Sequence, residues 1–169
     1  VVFVAHHDLH ILEIKKTHFE KSKKYFWQSK NIIWEIKKNP QNFHIDDVDK
    51  FYVKTGIWKD LKKELGDDLN GKRVLEVGMG LGKFSVFLAK QGAEVTGIDI
   101  GENLVKFAKE LAKVNEVNCN FINASITKLN LEAESFDIII GLVVLHHLTE
   151  ENVLKGFSEF HRVLKPNGR

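Results

Sequence analysis

The sequence VLEVGMGLG, residues 74–82, carries three glycines at alternate positions behind a short aliphatic run. Glycine has no β-carbon, so it lets a ligand approach the backbone closely. A helix that follows such a loop directs free amide groups and its positive dipole end toward that ligand. Glu76 stands two residues before the first glycine, and a carboxylate there disfavours a pyrophosphate and suits a cationic ligand. The chemistry predicted for this stretch is therefore ligand binding.

Three ligands compete for the loop. A phosphate-binding P-loop needs Gly-Lys-Ser/Thr, and Phe84 after Gly82 and Lys83 excludes it. A dinucleotide favours G-x-G-x-x-G, and Lys83 stands where the third glycine is expected. S-adenosylmethionine (SAM) has a sulfonium, an ammonium and no phosphate, which suits Glu76. Asp99, at the end of the next predicted strand, can accept two hydrogen bonds from a ribose diol and is compatible with both NAD and SAM.

Alternating strands and helices must position these residues. After a turn-rich boundary at 66–72, apolar strand patterns and amphipathic helix patterns follow one another along the chain. The strands are predicted at 73–78, 94–100, 118–124 and 136–145, and the helices at 82–92, 102–115 and 150–164. Such alternation implies right-handed crossovers and a parallel sheet. We therefore expect an α/β fold.

Four ordered motifs resemble those of the class I SAM-dependent methyltransferases. They are VLEVGMGLG at 74–82, VTGIDI at 95–100, FDIIIGLVVLHHL at 136–148 and HRVLKPNGR at 161–169. An NAD-dependent oxidoreductase explains neither of the last two. The resemblance implies a Rossmann-like doubly wound parallel sheet with four strands visible in the order 3-2-1-4. It also implies SAM as cofactor, S-adenosylhomocysteine as product and methyl transfer to a small-molecule acceptor, with a non-catalytic SAM-binding or nucleoside-binding module as an alternative.

The resemblance assigns cofactor contacts to nine residues: Glu76, Gly78, Gly80, Gly82, Asp99, Ile100, Ser125, Gly141 and Leu142. Glu76 and the glycines would surround the methionine part. Asp99 would hold the ribose hydroxyls, and Ile100 would pack against adenine. Gly141 and Leu142 would offer backbone groups to the ammonium. Ser125 stands where the family often has an acid that contacts the adenine amino group, and a hydroxyl there makes a weaker contact.

No catalytic constellation is required by the predicted chemistry. Methyl transfer from a sulfonium is an in-line displacement with a good neutral leaving group, and alignment alone can supply roughly 7–11 kcal/mol of the barrier. His147 is a candidate base because imidazole titrates near neutral pH. The pair His146–His147 nevertheless has a structural role more commonly in this family.

Residues 1–66 are predicted as an N-terminal helical cap and residues 67–169 as the SAM-binding core. Between Lys15 and Lys38 the chain has eight lysines against two glutamates, and Trp27 and Trp34 lie seven residues apart. This pattern fits a nucleic-acid or anionic-membrane surface, but a helix over the cofactor pocket with its aromatic stripe inward and lysines in water is favoured. No metal site is expected, since the histidines near the start of the chain (His6, His7 and His10, with Asp8) are interpreted as a solvated segment.

Composition bears on nucleic-acid binding, on the cellular compartment and on membrane insertion. The net charge of +2 favours no nucleic-acid partner. The single Cys119 fits a reducing compartment, so a cytoplasmic location is expected. No apolar run approaches the ~18 residues that a membrane span needs.

The predicted fourth strand raises a problem of coverage. The chain starts without Met and stops one residue after KPNG, which suggests a fragment of a longer enzyme. With four strands, the fourth would be a long apolar edge and an aggregation hazard. We therefore expect that the N-terminal helices or a partner chain cover it, or that the protein self-associates through it.

Overall fold

A computed structural model describes residues 2–4, 32–47, 53, 57–66, 68–142 and 144–169. Several predictions concern residues outside these ranges. They include the histidine-rich start (His6, His7, Asp8 and His10), Trp27 and most of the basic segment 15–30.

One parallel sheet of five strands forms the centre of the described chain. The strands are β1 (Val2–Val4), β2 (Arg73–Val77), β3 (Glu94–Asp99), β4 (Cys119–Asn123) and β5 (Ile138–Leu142). Their order is β1-β5-β2-β3-β4, and every pairing is parallel. The strands β2 to β5 reproduce the predicted order 3-2-1-4, so the predicted fold class is confirmed.

The predicted open edge at the fourth strand is not observed. Val2, Phe3 and Val4 of β1 pair with residues 140–142 of β5, which places β5 inside the sheet. The covering element is a strand of the same chain rather than a helix or a partner. The expectation of an exposed fourth strand is therefore wrong, and the premise for self-association through it is removed.

Helices cover the two faces of the sheet in the described part of the chain. They are α1 (Ile57–Leu65), α2 (Lys83–Lys90), α3 (Glu102–Val114) and α4 (Glu150–Val163), with 3-10 turns at Pro40–Phe43 and Leu145–His147. Thr149 caps α4, because its hydroxyl accepts a hydrogen bond from the Asn152 N–H at 3.3 Å. Within the described ranges, none of the helices has the length and apolarity to span a membrane.

Alternation along β2 divides the core into two layers. Val74 packs with α1 and α2 on one face, whereas Leu75 and Val77 pack with α4 on the other. All five residues of β5 are buried, as a central parallel strand requires. β5 is shorter than the predicted 136–145, since the chain turns into Leu145–His147 soon after it.

The end of the basic segment is helical at 32–38 and stops before Pro40, as predicted. Its inward face differs from the prediction. Ile36 is fully buried against α2 and α3, whereas Trp34 is 58% exposed and its ring lies 4.5 Å from the Lys38 amino group. The aromatic stripe is therefore not the packed face where the structure describes it, because isoleucines occupy that role.

Candidate cofactor site

Parallel strands bring their carboxyl ends to one edge of the sheet. The glycine loop follows β2 there, Asp99 ends β3, Asn123 ends β4 and Leu142 ends β5. Ligands of open α/β sheets bind in the crevice outside these ends. The topology thus gathers most of the predicted site residues at this edge.

The three loop glycines have left-handed φ angles of +68°, +56° and +72°, but their surroundings differ. A β-carbon on Gly82 would lie 2.7 Å from the Ala108 β-carbon, so Gly82 allows the loop to pack closely on α3. A β-carbon on Gly78 would collide with Val144. At Gly80 no atom lies within 4 Å of that position. Gly80 is therefore the glycine that leaves open space for a ligand.

Asp99 ties the glycine loop to the end of β3. Its Oδ2 accepts a hydrogen bond from the Gly80 N–H at 3.0 Å, and its Oδ1 accepts one from the Gly101 N–H at 2.8 Å. Burial raises the pKa of Asp99, while hydrogen bonds from Gly101, Gly80 and Ile100 and the charge of His147 oppose the rise. Each carboxylate oxygen keeps a second lone pair, so the group can accept further donors.

The residues after β3 and β4 lie beside this carboxylate. Ile100 is 79% exposed, which is unusual for a large aliphatic side chain. The Asn123 amide donates to the Asp99 carbonyl at 3.0 Å, and so joins the two strand ends. Ser125 is exposed, but its hydroxyl lies 2.8 Å from the Thr127 hydroxyl. Ser125 therefore stabilises its own turn in this structure.

Glu76 lies beneath the loop rather than open to solvent. Its side chain is 3% exposed and accepts a hydrogen bond from the hydroxyl of the fully buried Ser85, in the first turn of α2. Burial raises the pKa of Glu76 from 4.5 to about 7, hydrogen bonds from Ser85 lower it, and the Asp99 charge raises it further. The carboxyl is therefore poised between its neutral and charged forms near neutral pH.

The remaining predicted residues come from β5 and the turn after it. Gly141 pairs with Val77 and is buried, and Leu142 is 8% exposed. His147 is exposed at the end of its 3-10 turn and lies within electrostatic reach of Asp99.

Sequence reasoning missed Ser85 and Asn123. Ser85 stands in the first turn of the predicted helix after the glycine loop, where a hydroxyl can reach back to a strand residue. This position was the signal in the sequence that could have identified Ser85. Asn123 gave no signal, because its bond to the Asp99 carbonyl depends on the pairing of β3 with β4.

An open parallel sheet with a glycine loop after one strand and an acid at the end of the next defines a Rossmann-like nucleoside-binding domain. A family model described as "Methyltransferase domain" matches residues 74–168, more than half of the chain. The chain belongs to this methyltransferase family. The predicted membership of the class I SAM-dependent methyltransferases is confirmed.

Curated relatives match the same part of the chain. The ubiquinone biosynthesis O-methyltransferase of Coxiella burnetii is 38% identical over 102 residues, which is 60% of this chain and 42% of the relative. The enzyme of that name from Rickettsia conorii is 32% identical over 106 residues, covering 63% and 36% respectively. The chain thus spans less than half the length of these relatives.

Solved structures share the fold. A Pyrococcus horikoshii protein superposes with a TM-score of 0.64 at 32% identity, covering 73% of this chain and 57% of that one. An S-adenosylmethionine-dependent methyltransferase from Mesorhizobium loti gives a TM-score of 0.57 at 28% identity, covering 66% and 50%.

Proposed function

We propose that this chain binds SAM across the carboxyl ends of β2 and β3 and places its methyl group for in-line transfer to a small-molecule acceptor. The observation that carries the proposal is the Asp99 carboxylate, which bridges the amides of Gly80 and Gly101 and retains acceptor capacity. The open space at Gly80 lies beside it through the Gly80 N–H hydrogen bond, and the exposed Ile100 follows it in the chain.

The residues fit SAM in several respects. Asp99 accepts hydrogen bonds from the ribose hydroxyls with its remaining lone pairs. Ile100 offers an apolar surface to the adenine ring. Glu76 ionises in response to the positive charge of the methionine end. Gly141 and Leu142 offer backbone groups from β5. The Ser125 hydroxyl contacts the adenine ring once its hydrogen bond to Thr127 is broken.

When bound, SAM supplies a methyl group on a positively charged sulfur that departs as a neutral thioether. The protein then has to orient the acceptor and exclude water, and orientation can contribute roughly 7–11 kcal/mol. We place His147 as the group that takes the acceptor's proton, since it is exposed at the same edge as Asp99. The names of the Coxiella and Rickettsia relatives make a hydroxyl oxygen the first acceptor to test.

Residues 67–169 are proposed as the core and 1–66 as a cap, except that β1 (Val2–Val4) is a strand of the core sheet. The match of the family model to 74–168 supports the core. α1 belongs to the proposed cap, yet its Ile57, Leu61 and Leu65 pack into the same cluster as Val74 of β2. Because α1 is buried against β2, we expect the core and the cap to unfold together.

Calorimetric titration with SAM, S-adenosylhomocysteine and NAD tests the proposal. We expect the first two to bind and NAD not to bind. Asp99→Asn should weaken SAM by roughly tenfold to a hundredfold, since a charged acceptor is worth about 1.5–3 kcal/mol. Asp68→Asn is the matched control, because Asp68 is exposed and accepts a backbone N–H from Asn70 in a turn before β2.

Two outcomes would contradict the proposal: NAD binding in preference to SAM, or equal SAM affinity in wild type and Asp99→Asn. Transfer is then measured with labelled SAM and a panel of hydroxyl acceptors. His147→Asn should lower the transfer rate and leave SAM affinity unchanged. Tight SAM binding without transfer to any acceptor would favour the non-catalytic module instead.

A further inference from the structure

A cavity of about 350 Å³ lies between the 42–47 segment and the helices α2 and α3. Two aromatic pairs line it. The rings of Phe43 and Phe107 meet edge to face with centroids 6.0 Å apart, and those of Phe84 and Phe87 are stacked at 6.0 Å. Its size falls in the range of small-molecule sites, about 300–1,000 Å³. The cavity is therefore large enough for a ring system, and four phenyl rings contribute to its walls.

The cavity reaches the glycine loop. Leu81, between Gly80 and Gly82, lines it together with Lys83, the first residue of α2. None of its described lining residues is Asp99 or Ile100. The space thus adjoins the loop of the proposed cofactor site without coinciding with the ribose end of it.

The backbone of residues 43–45 forms the roof of the cavity and is held by one buried side chain. Asn115 is 6% exposed; its Oδ1 accepts from the Ile45 N–H at 2.7 Å, and its Nδ2 donates to the Phe43 carbonyl at 2.9 Å. The same Nδ2 donates to the Leu111 carbonyl at 2.9 Å. Asn115 therefore holds the 43–45 backbone over the cavity at the end of α3.

Polar groups stand around the cavity as well. His44, Asp46 and Asp47 are exposed and line it, and Asp46 lies 4.0 Å from the Lys90 amino group. A ligand with an apolar body and one polar group would satisfy both kinds of lining. Small-molecule sites commonly combine apolar walls with a few polar groups in this way.

We propose that this cavity receives an aromatic ring of the methyl acceptor, with the Phe43–Phe107 and Phe84–Phe87 pairs as its walls. The inference rests on the proposed methyl transfer, because the acceptor must approach the glycine loop. A flat ring is the ligand that matches the walls, since edge-to-face and offset contacts with phenyl rings add to the gain from burial.

Methyl-labelled NMR with 2-naphthol, a bicyclic phenol, tests the inference on the 169-residue chain. We expect saturable shifts of the methyl signals of Ile45, Leu81 and Leu111. Ile45→Trp fills the cavity from its half-buried edge and should weaken 2-naphthol by about tenfold or more. Leu154→Trp is the matched control, because Leu154 is 66% exposed on α4, on the opposite face of the sheet.

The following outcomes test the proposed role of the cavity. Shifts confined to other methyls, or equal affinity in Ile45→Trp and wild type, would overturn the inference. If Ile45→Trp does not fold, Ile32→Trp, which fills the cavity from the helical segment 32–38, replaces it. SAM calorimetry on the same samples separates the two proposals: SAM binding without 2-naphthol binding defeats the cavity alone, and no SAM binding removes the methyl transfer and the acceptor role together.

Discussion

Replacement of Glu76 by glutamine should change how the stability of the protein depends on pH. The carboxyl is 3% exposed and accepts hydrogen bonds from the hydroxyl and the backbone of Ser85. Burial, far more than the charge of Asp99, raises its pKa from 4.5 to about 7. Glutamine keeps the shape and removes the titration.

The sign follows from proton counting. Between pH 4.5 and about 7 the unfolded chain has lost the Glu76 proton and the native protein retains it. Because the unfolded state binds fewer protons, stability falls as the pH rises. The gap between the two pKa values corresponds to about 3 kcal/mol, at 1.36 kcal/mol per pH unit. The cost is absent below pH 4.5 and complete above pH 7.

Urea denaturation of wild type and Glu76→Gln at several values from pH 5 to pH 8 measures this cost. Other titrating groups occur in both proteins, so their contributions largely cancel in the difference between the two. We expect the free energy of unfolding of the wild type to fall by about 3 kcal/mol relative to the variant across this range. Glu94→Gln, at an exposed position at the start of β3, is the matched control for the substitution itself.

The reasoning fails if the difference between wild type and Glu76→Gln is the same at pH 5 and pH 8. Such a result would mean that Glu76 keeps one charge state throughout, and that burial does not govern its pKa.

The ionisation of Glu76 is also coupled to binding of the proposed ligand. A cation beside it favours the charged form, so SAM binding near pH 7 should release a proton in the wild type and none from this site in the variant. Calorimetry in two buffers of different ionisation enthalpy measures that release.

Two further perturbations test the loop and the cavity roof. Gly80→Ala should destabilise the fold by only about 1–2 kcal/mol, the cost of a left-handed alanine, and should also block SAM. Gly66→Ala is its control, because Gly66 has φ +81° and open surroundings at the end of α1, so it should cost as much stability and leave SAM affinity intact. Asn115→Ala should cost about 2 kcal/mol in urea denaturation, since it leaves buried backbone groups without partners, whereas the exposed Asn118→Ala should cost little. Equal SAM affinities for the two glycine variants, or equal losses of stability for the two asparagine variants, would contradict the assignments.

The sheet could be predicted because its signals are local. Strand patterns separated by helix patterns and short loops leave few ways to pair β2 to β5. The three-residue β1 could not be predicted, because a strand of that length carries no periodicity and lies far from β5 in the sequence. The prediction that Trp34 faces inward is wrong, since Ile33 and Ile36 stand close to it in the sequence and hydrophobicity alone does not rank tryptophan against isoleucine.

The site was only partly predictable for a related reason. The glycine loop and Asp99 follow from position at strand ends. The polar network around them depends on contacts distant in sequence. Asn115 accepts a hydrogen bond from the backbone of Ile45, 70 residues earlier, and no pattern in the sequence predicts this bond.

The structure also changes the charge argument for the ligand. From the sequence, Glu76 was expected to disfavour a pyrophosphate as a fixed negative charge. With its pKa at about 7, the carboxyl can instead take a proton at small cost when a phosphate approaches. Repulsion by Glu76 is therefore a weak barrier to NAD. The preference for SAM has to come from attraction, because only a cation gains from ionising this buried group, and the NAD titration in wild type and Glu76→Gln separates the two effects. If rejection depended on the charge, the variant would bind NAD. If it depends on missing anion-binding groups, neither protein will.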